Sequence, residues 1–82
     1  MVYPIQIRAA RMLLGLSQQE LAHLASISVV TIKRIEAAGT NMRGTAETNA
    51  RIERALESAG IVFIGEDQAL GPGVRLKHPV NG

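Results

Sequence analysis

The sequence contains no cysteine and no tryptophan, and its 82 residues include one tyrosine and one phenylalanine. Without cysteine there is no disulfide framework, no thiolate zinc site and no cysteine nucleophile. With so few aromatic rings, a core must be built from Ala, Val, Ile, Leu and Met, which favours closely packed helices. A chain of this length supports one small domain that buries a modest share of its surface, so oligomerisation is a plausible source of stability.

Long hydrophobic runs are also missing. No segment approaches the roughly 20 apolar residues needed to span a bilayer, and the opening MVYPIQIRAAR has no apolar run behind a basic start. We therefore expect a cytoplasmic protein without a membrane partner.

Charge is sparse but unevenly placed. The net charge of the chain is +2, with +3 carried by residues 1–45 and −1 by residues 46–82. A basic excess in the first half suits a polyanionic partner, although a mildly basic solvated face is common and the signal is weak by itself.

Hydrophobic periodicity and capping signals predict four helices. The first runs from Pro4 to near Gly15, and the fourth is capped by Thr45 and ends at Gly60. Between them, helix two is expected over about 17–24 and helix three over about 28–37. Two short helices joined by the tight turn Ala25-Ser26-Ile27 form a helix-turn-helix.

The sequence also indicates how helix two begins and which of its residues face inward. Ser17-Gln18-Gln19-Glu20 has the form of a capping box, which satisfies amide groups at a helix start. Leu21, Ala22 and Leu24 are then available to face inward.

The last third of the sequence changes from helical to β-type patterning. Ile61–Ile64 and Val74–Lys77 read as two strands joined by a turn-rich loop, which predicts a β-hairpin. Because an isolated two-stranded ribbon is marginal in water, it should lie on the helices or pair with another copy. We therefore divide the chain into a helical domain over 1–60 and a hairpin extension over 61–82 that serves dimerisation.

Helix three carries an apolar residue on its outer face. With roughly 100° per residue, Ile32 and Ile35 define the buried direction, and Val30 lies nearly opposite them between Lys33 and Arg34. The major groove of DNA offers thymine methyl groups to apolar side chains, and base-edge acceptors and phosphates to cations. The alternative is that one exposed valine is ordinary surface.

The segment LSQQELAHLASISVVTIKRIEAAG, within about Ile7 to Gly39, resembles the XRE family of lambda-repressor and Cro-type helix-turn-helix regulators. The resemblance implies a mainly α fold, namely a four- to five-helix lambda-repressor-like domain, here with a short C-terminal β-hairpin. It also implies a structural ion pair between Arg11 of helix one and Glu36 of helix three, whose alternative is that both residues are merely solvated.

Carried over by position, the resemblance implies two sets of DNA contacts. The positions expected to read bases are Val29, Val30, Lys33 and Arg34. Those expected to hold phosphates are Gln18, Gln19, Ser28, Thr31 and Arg43.

The chain departs from the family in three respects. Ser26 stands in the turn where the family usually has glycine, so either the turn differs or it is mildly strained. The glutamines frequent on the family's reading face are absent, and the C-terminal hairpin differs from the all-helical members.

The main functional hypothesis is a sequence-specific regulator that binds double-stranded DNA as a dimer on a palindromic operator and either represses or activates transcription. The alternative is a protein-interaction module with the same fold, such as an antitoxin or an antagonist of another regulator, which offers its C-terminal strands to a partner protein. An enzyme is disfavoured. The sequence shows no catalytic constellation and no phosphate-binding loop, so we expect no cofactor and no metal.

Overall fold

The computed structural model describes residues 2–80, so Met1, Asn81 and Gly82 at the ends of the predicted ranges 1–60 and 61–82 lie outside it. Within residues 2–80 the chain forms four helices and two strands. In chain order they are α1 (Pro4–Leu14), α2 (Gln18–Ala25), α3 (Val29–Glu36), α4 (Ala46–Ser58), β1 (Ile61–Ile64) and β2 (Gly73–Leu76). The predicted mainly α fold with a C-terminal hairpin is confirmed.

Three of the helices begin at a hydroxyl cap, as the sequence pattern indicates. Ser17, Ser28 and Thr45 each accept a hydrogen bond from the backbone N–H three residues further on. The backbone N–H of Ser17 also donates to the carboxylate of Glu20 at 2.9 Å, which completes the capping box and holds the pKa of Glu20 below its ordinary value. These bonds satisfy amide groups that have no partner inside the helix.

The turn between α2 and α3 depends on a left-handed residue. Ser26 ends α2 with φ 57° and ψ 45°, and its N–H donates back to the carbonyls of α2. The sequence left open whether the turn differs from that of the family or is mildly strained. The backbone has the left-handed conformation that glycine usually adopts, so the turn is the strained one. A residue with a Cβ pays a steric cost there of roughly 1–2 kcal/mol.

Replacing Ser26 by glycine should raise the free energy of unfolding by about 0.5–1 kcal/mol. The expected gain is smaller than the steric cost because glycine also makes the unfolded chain more flexible. Urea unfolding followed by circular dichroism measures it. The matched control is Ser58→Gly in the helical conformation of α4, which should destabilise by about 0.5 kcal/mol. Equal losses in both variants would show that Ser26 carries no strain.

The core lies where the four helices and the first strand meet. Its buried apolar residues are Ile7, Ala10, Leu21, Ala22, Ala25, Ile32, Ile35, Ile52, Leu56 and Ile61. Leu24, expected to face inward, is instead half exposed. The buried side of α2 is centred between Leu21, Ala22 and Ala25, and Leu24 lies roughly 110° away from that direction around the helix.

The hairpin shares this core. β1 and β2 are antiparallel, with Ile61 opposite Leu76 and Ile64 opposite Gly73, so β2 begins and ends one residue earlier than the sequence suggests. Ile61 is fully buried, while Phe63, Val74 and Leu76 pack against the core from the same side. The hairpin therefore lies on α1 and α4, one of the two arrangements expected for it.

A buried glutamine joins the hairpin to α1. Gln6 is 2% exposed, and its Nε2 donates to the carbonyl oxygens of Ile64 and Gly73, both at 3.0 Å. Its Oε1 accepts the N–H of Tyr3 at 2.8 Å. Because Ile64 and Gly73 form the pair of the ladder next to the connecting loop, this side chain fixes the loop end of the hairpin to the helix.

The loop between the strands is held by two acidic residues. One carboxylate oxygen of Asp67 accepts the N–H groups of Leu70 and Ala69, both at 2.7 Å, which lowers the pKa of Asp67. The Tyr3 hydroxyl donates to Glu66, and this hydrogen bond raises the pKa of Tyr3. Both contacts are at the surface and tie the loop to itself and to the start of α1.

Candidate nucleic-acid interface

The outer face of α3 has the arrangement that the helical wheel predicts. Ile32 and Ile35 are each 1% exposed, whereas Val30 is 59% exposed. Lys33 and Arg34 are exposed on either side of it. The helix therefore presents one aliphatic side chain between two cations, and its opposite side is anchored in the core.

Val29 lies at the border of this face. It is half-buried and packs against the core, so only part of its side chain is accessible. The structure thus brings Val30, Lys33 and Arg34 together on the surface and leaves Val29 at their edge.

The orientation of α3 is set by an ion pair with α1. Arg11 Nε lies 2.9 Å from Glu36 Oε2, and Arg11 Nη2 donates to Glu36 Oε1 at 2.9 Å. The two side chains are 12% and 4% exposed. A third bond, from Arg11 Nη1 to the carbonyl of Leu16 at 2.9 Å, ties in the connection to α2, and the hydrogen bond to Glu36 raises the pKa of Arg11. This planar fork fixes both the distance and the rotation between the helices.

Gln18, the first residue of α2, also reaches this carboxylate. Its Nε2 donates to Glu36 Oε1 at 3.3 Å, and the side chain is half-buried. An amide nitrogen carries two hydrogens, so one remains for another acceptor. Gln19, the next residue, is exposed in the same first turn.

Ser28 and Thr31 stand together at the start of α3. The Ser28 hydroxyl accepts the N–H of Thr31 at 3.1 Å and lies 2.9 Å from the Thr31 hydroxyl. Their first role is therefore to cap the helix. Each hydroxyl can still accept or donate a further bond at the surface.

Arg43 is carried by a loop whose backbone is held from α4. Asn49 Nδ2 donates to the carbonyl of Arg43 at 2.7 Å and to that of Thr45 at 3.0 Å. Gly44 has φ 80°, and a Cβ at this position would lie 3.3 Å from Ile35 Cδ1. The exposed Arg43 side chain thus projects from a well-anchored turn next to α3.

Asn49 is a positioning residue that the sequence reading did not identify. A polar side chain in the first turn of a helix is usually interpreted as solvated surface, and only the folded loop brings the carbonyl group of Arg43 within its reach. Gln6 was missed for the same reason.

Other kinds of site find little support in the described part of the chain. Residues 2–80 contain no group of three side chains able to hold a metal ion. None of the helices in that range has the length and apolar character required to cross a membrane. His23 is exposed on α2.

Comparison with known proteins points to the same region. A family model described as Helix-turn-helix matches residues 7–44, from the first turns of α1 through the α2–α3 pair to the loop that carries Arg43. No curated protein matches the chain.

Proposed function

We propose that the protein is a DNA-binding regulator of the XRE family of Cro and lambda-repressor-type helix-turn-helix proteins, and that it reads a palindromic operator as a dimer. The match of a helix-turn-helix family model to residues 7–44 supports this proposal. The observation that supports base reading is the outer face of α3. Val30 is exposed between Lys33 and Arg34, which have no carboxylate partner within residues 2–80, on a helix whose opposite side is held by the core and by Glu36. Such a face suits a groove that carries methyl groups and acceptors.

The dimensions of α3 suit the major groove. With its side chains, an α-helix is roughly 10–12 Å across, close to the width of the major groove of about 12 Å. In the proposed complex Val30 contacts a thymine methyl group and Arg34 donates to the acceptors of guanine. Lys33 and Val29 lie at the two sides of this contact.

Phosphate contacts are proposed on both sides of α3. The free amide hydrogen of Gln18, the first-turn residue Gln19 and the partial positive charge at the start of α2 suit one backbone. Ser28 and Thr31 add neutral contacts at the start of α3, and Arg43 holds the backbone from the anchored loop. These contacts position the protein but carry no sequence information.

Replacing Arg34 by alanine should relax base discrimination. The probe is a duplex selected from a randomised library, with a scrambled duplex as the non-specific reference, in a fluorescence titration. We expect the affinity ratio between the two to fall by roughly tenfold or more, because a bidentate contact to guanine contributes about 1–3 kcal/mol of discrimination. Arg43→Ala is the matched control. It should weaken binding to both duplexes alike. It should also reduce the salt slope, which is the slope of log affinity against log salt concentration, by about 0.9.

Two outcomes would contradict this assignment. Failure of the unmodified protein to bind any duplex at low salt would remove the proposed function. An unchanged affinity ratio for Arg34→Ala would remove Arg34 from the base-reading set.

A dimer is proposed because one α3 covers only a few base pairs and a palindrome needs two such helices. We place the dimer contact on the outer face of the hairpin. Val62 and Ile64 alternate with the buried residues of β1 and are 40% and 42% exposed. The two-stranded sheet pairs with no third strand within residues 2–80, which leaves strand edges open to another chain.

Replacing Val62 by lysine should shift the sedimentation mass from dimer to monomer, since a charge would then lie within an apolar contact. Leu70→Lys is the matched control: its side chain is also exposed, but it lies on the loop away from the strands. An unchanged mass for Val62→Lys would place the dimer contact elsewhere. This open face would then be available to a partner protein, as the interaction-module alternative requires.

A further inference from the structure

A polar cleft opens beside the proposed reading face, where α1, the start of α2 and the second half of α3 meet. Its volume is about 400 Å³. It is lined by Arg8, Arg11, Gln18, Lys33, Glu36 and Ala37. Three cations and one carboxylate therefore surround a single concave space.

The charges of this cleft are not balanced within the protein. Glu36 is committed to Arg11 through the two-pronged ion pair, with Gln18 as a further donor. Arg8 and Lys33 are both exposed, and neither has a carboxylate partner within residues 2–80. Two uncompensated cations from different helices thus line the same cleft, an arrangement that suits an anion.

The cleft is also well placed for the backbone of a duplex. Lys33, on the outer side of α3, and Ala37, the residue that caps the end of α3, both line the cleft. Arg8 approaches from α1, and the start of α2 adds the partial positive charge of a helix N-terminus. When α3 lies in a groove, the phosphates on the wall of that groove come nearest to this side of the helix.

We infer that the cleft binds one phosphate of the DNA backbone, held jointly by Arg8 and Lys33. This inference rests on the proposed DNA-binding function and adds Arg8, a residue of α1, to the interface. It also changes the role of Lys33, which the sequence assigned to base reading. In the cleft Lys33 fixes the register of α3, while discrimination between bases is left to Val30 and Arg34.

The test compares Arg8→Ala, Lys33→Ala and the double variant in salt-dependent titrations with the selected and scrambled duplexes. Each single variant should lose about tenfold in affinity for both duplexes at 0.1 M salt and reduce the salt slope by about 0.9, the value for one phosphate contact. The double variant should lose little more than either single variant, because both side chains hold the same phosphate. Arg8→Lys should retain most of the slope.

Arg54→Ala is the matched control, since Arg54 is exposed on α4 and has no carboxylate partner within residues 2–80. Its affinity and slope should equal those of the unmodified protein. Thermal unfolding of each variant, expected to be unchanged, separates lost contacts from lost structure.

Several results would overturn the inference without touching the regulator proposal. Arg8→Ala with the affinity and slope of Arg54→Ala would remove Arg8 from the interface. An altered base preference in Lys33→Ala would return Lys33 to base reading. Competition by inorganic phosphate beyond that of chloride at equal ionic strength would identify a site for the free anion. In all three cases the protein still prefers the selected duplex over the scrambled one, so the proposed function stands. If the unmodified protein binds no duplex at all, the proposed function itself is wrong.

Discussion

Replacing Arg11 by methionine is expected to lower the free energy of unfolding by about 3 kcal/mol, the lower end of the range for breaking a buried ion pair. The lower end applies because the Arg11 side chain retains 12% exposure, so water can partly replace it. Among residues 2–80, the Glu36 carboxylate, 4% exposed, is then left with Gln18 as its one side-chain donor. The total free energy of unfolding of a domain of this size is roughly 4–12 kcal/mol, so the loss is a large part of its stability.

The measurement is chemical and thermal unfolding, with an expected fall in the midpoint of roughly 10–20 °C. Arg51→Met is the matched control, because Arg51 pairs with Glu47 at 3.2 Å at the surface, where the side chains are 45% and 74% exposed. Such a pair contributes well under about 1 kcal/mol. If both variants lose equally little stability, the ion pair between α1 and α3 does not hold α3 in place.

A double variant, Arg11→Met with Glu36→Leu, separates two contributions. Replacing both partners removes the isolated buried charge, so much of the stability should return. Affinity for the selected duplex should return less completely, because apolar contact does not fix the rotation of α3 as the two-pronged bond does. Recovery of both properties to the same extent would mean that the pair contributes stability but not orientation.

Replacing Gln6 by leucine is expected to lower the free energy of unfolding by about 2–3 kcal/mol. The side chain fits a buried site, but the carbonyl oxygens of Ile64 and Gly73 lose their shared donor and the N–H of Tyr3 loses its acceptor. Buried polar groups without a partner cost about 1–3 kcal/mol each, reduced here by local opening of the hairpin end. Hydrogen exchange should therefore accelerate at β1 and β2 more than in α2 and α3.

Gln68→Leu is the control for this substitution, since Gln68 is exposed on the loop between the strands. A surface change of this kind should stay within about 0.5 kcal/mol. Uniform acceleration of exchange throughout the domain in Gln6→Leu would show that the hairpin and the helices unfold as one unit, with no locally weakened hairpin.

The local elements were predictable because their signals are local. The cap residues Ser17, Ser28 and Thr45 precede apolar positions at helical spacing, and the helices begin where these residues indicate. The exposure of Val30 follows from the angle between residues on one helix. Such signals depend on a few neighbouring residues, so a sequence read in one dimension contains them.

Predictions that needed a direction in space depended on neighbouring elements that the local pattern does not describe. Leu24 was expected in the core and is exposed, since helix periodicity shows which residues share a side but not the exact direction of the neighbouring helix. Ser26 shows the effect of tertiary structure on the backbone. The packing of α2 against α3 imposes a left-handed conformation that serine by itself does not prefer.

By itself, the sequence determined four helices, a hairpin and the similarity of residues 7–44 to a helix-turn-helix family model. Only the tertiary structure decided that Gln6 fixes the loop end of the hairpin to α1, that Asn49 holds the loop of Arg43, and that Arg8 and Lys33 line one cleft. The reason is that Gln6 and its carbonyl partners, like Arg8 and Lys33, lie far apart in the chain, while Asn49 reaches Arg43 only when the loop between them has folded. Their hydrogen bonds and uncompensated charges exist only after the core has brought the helices together.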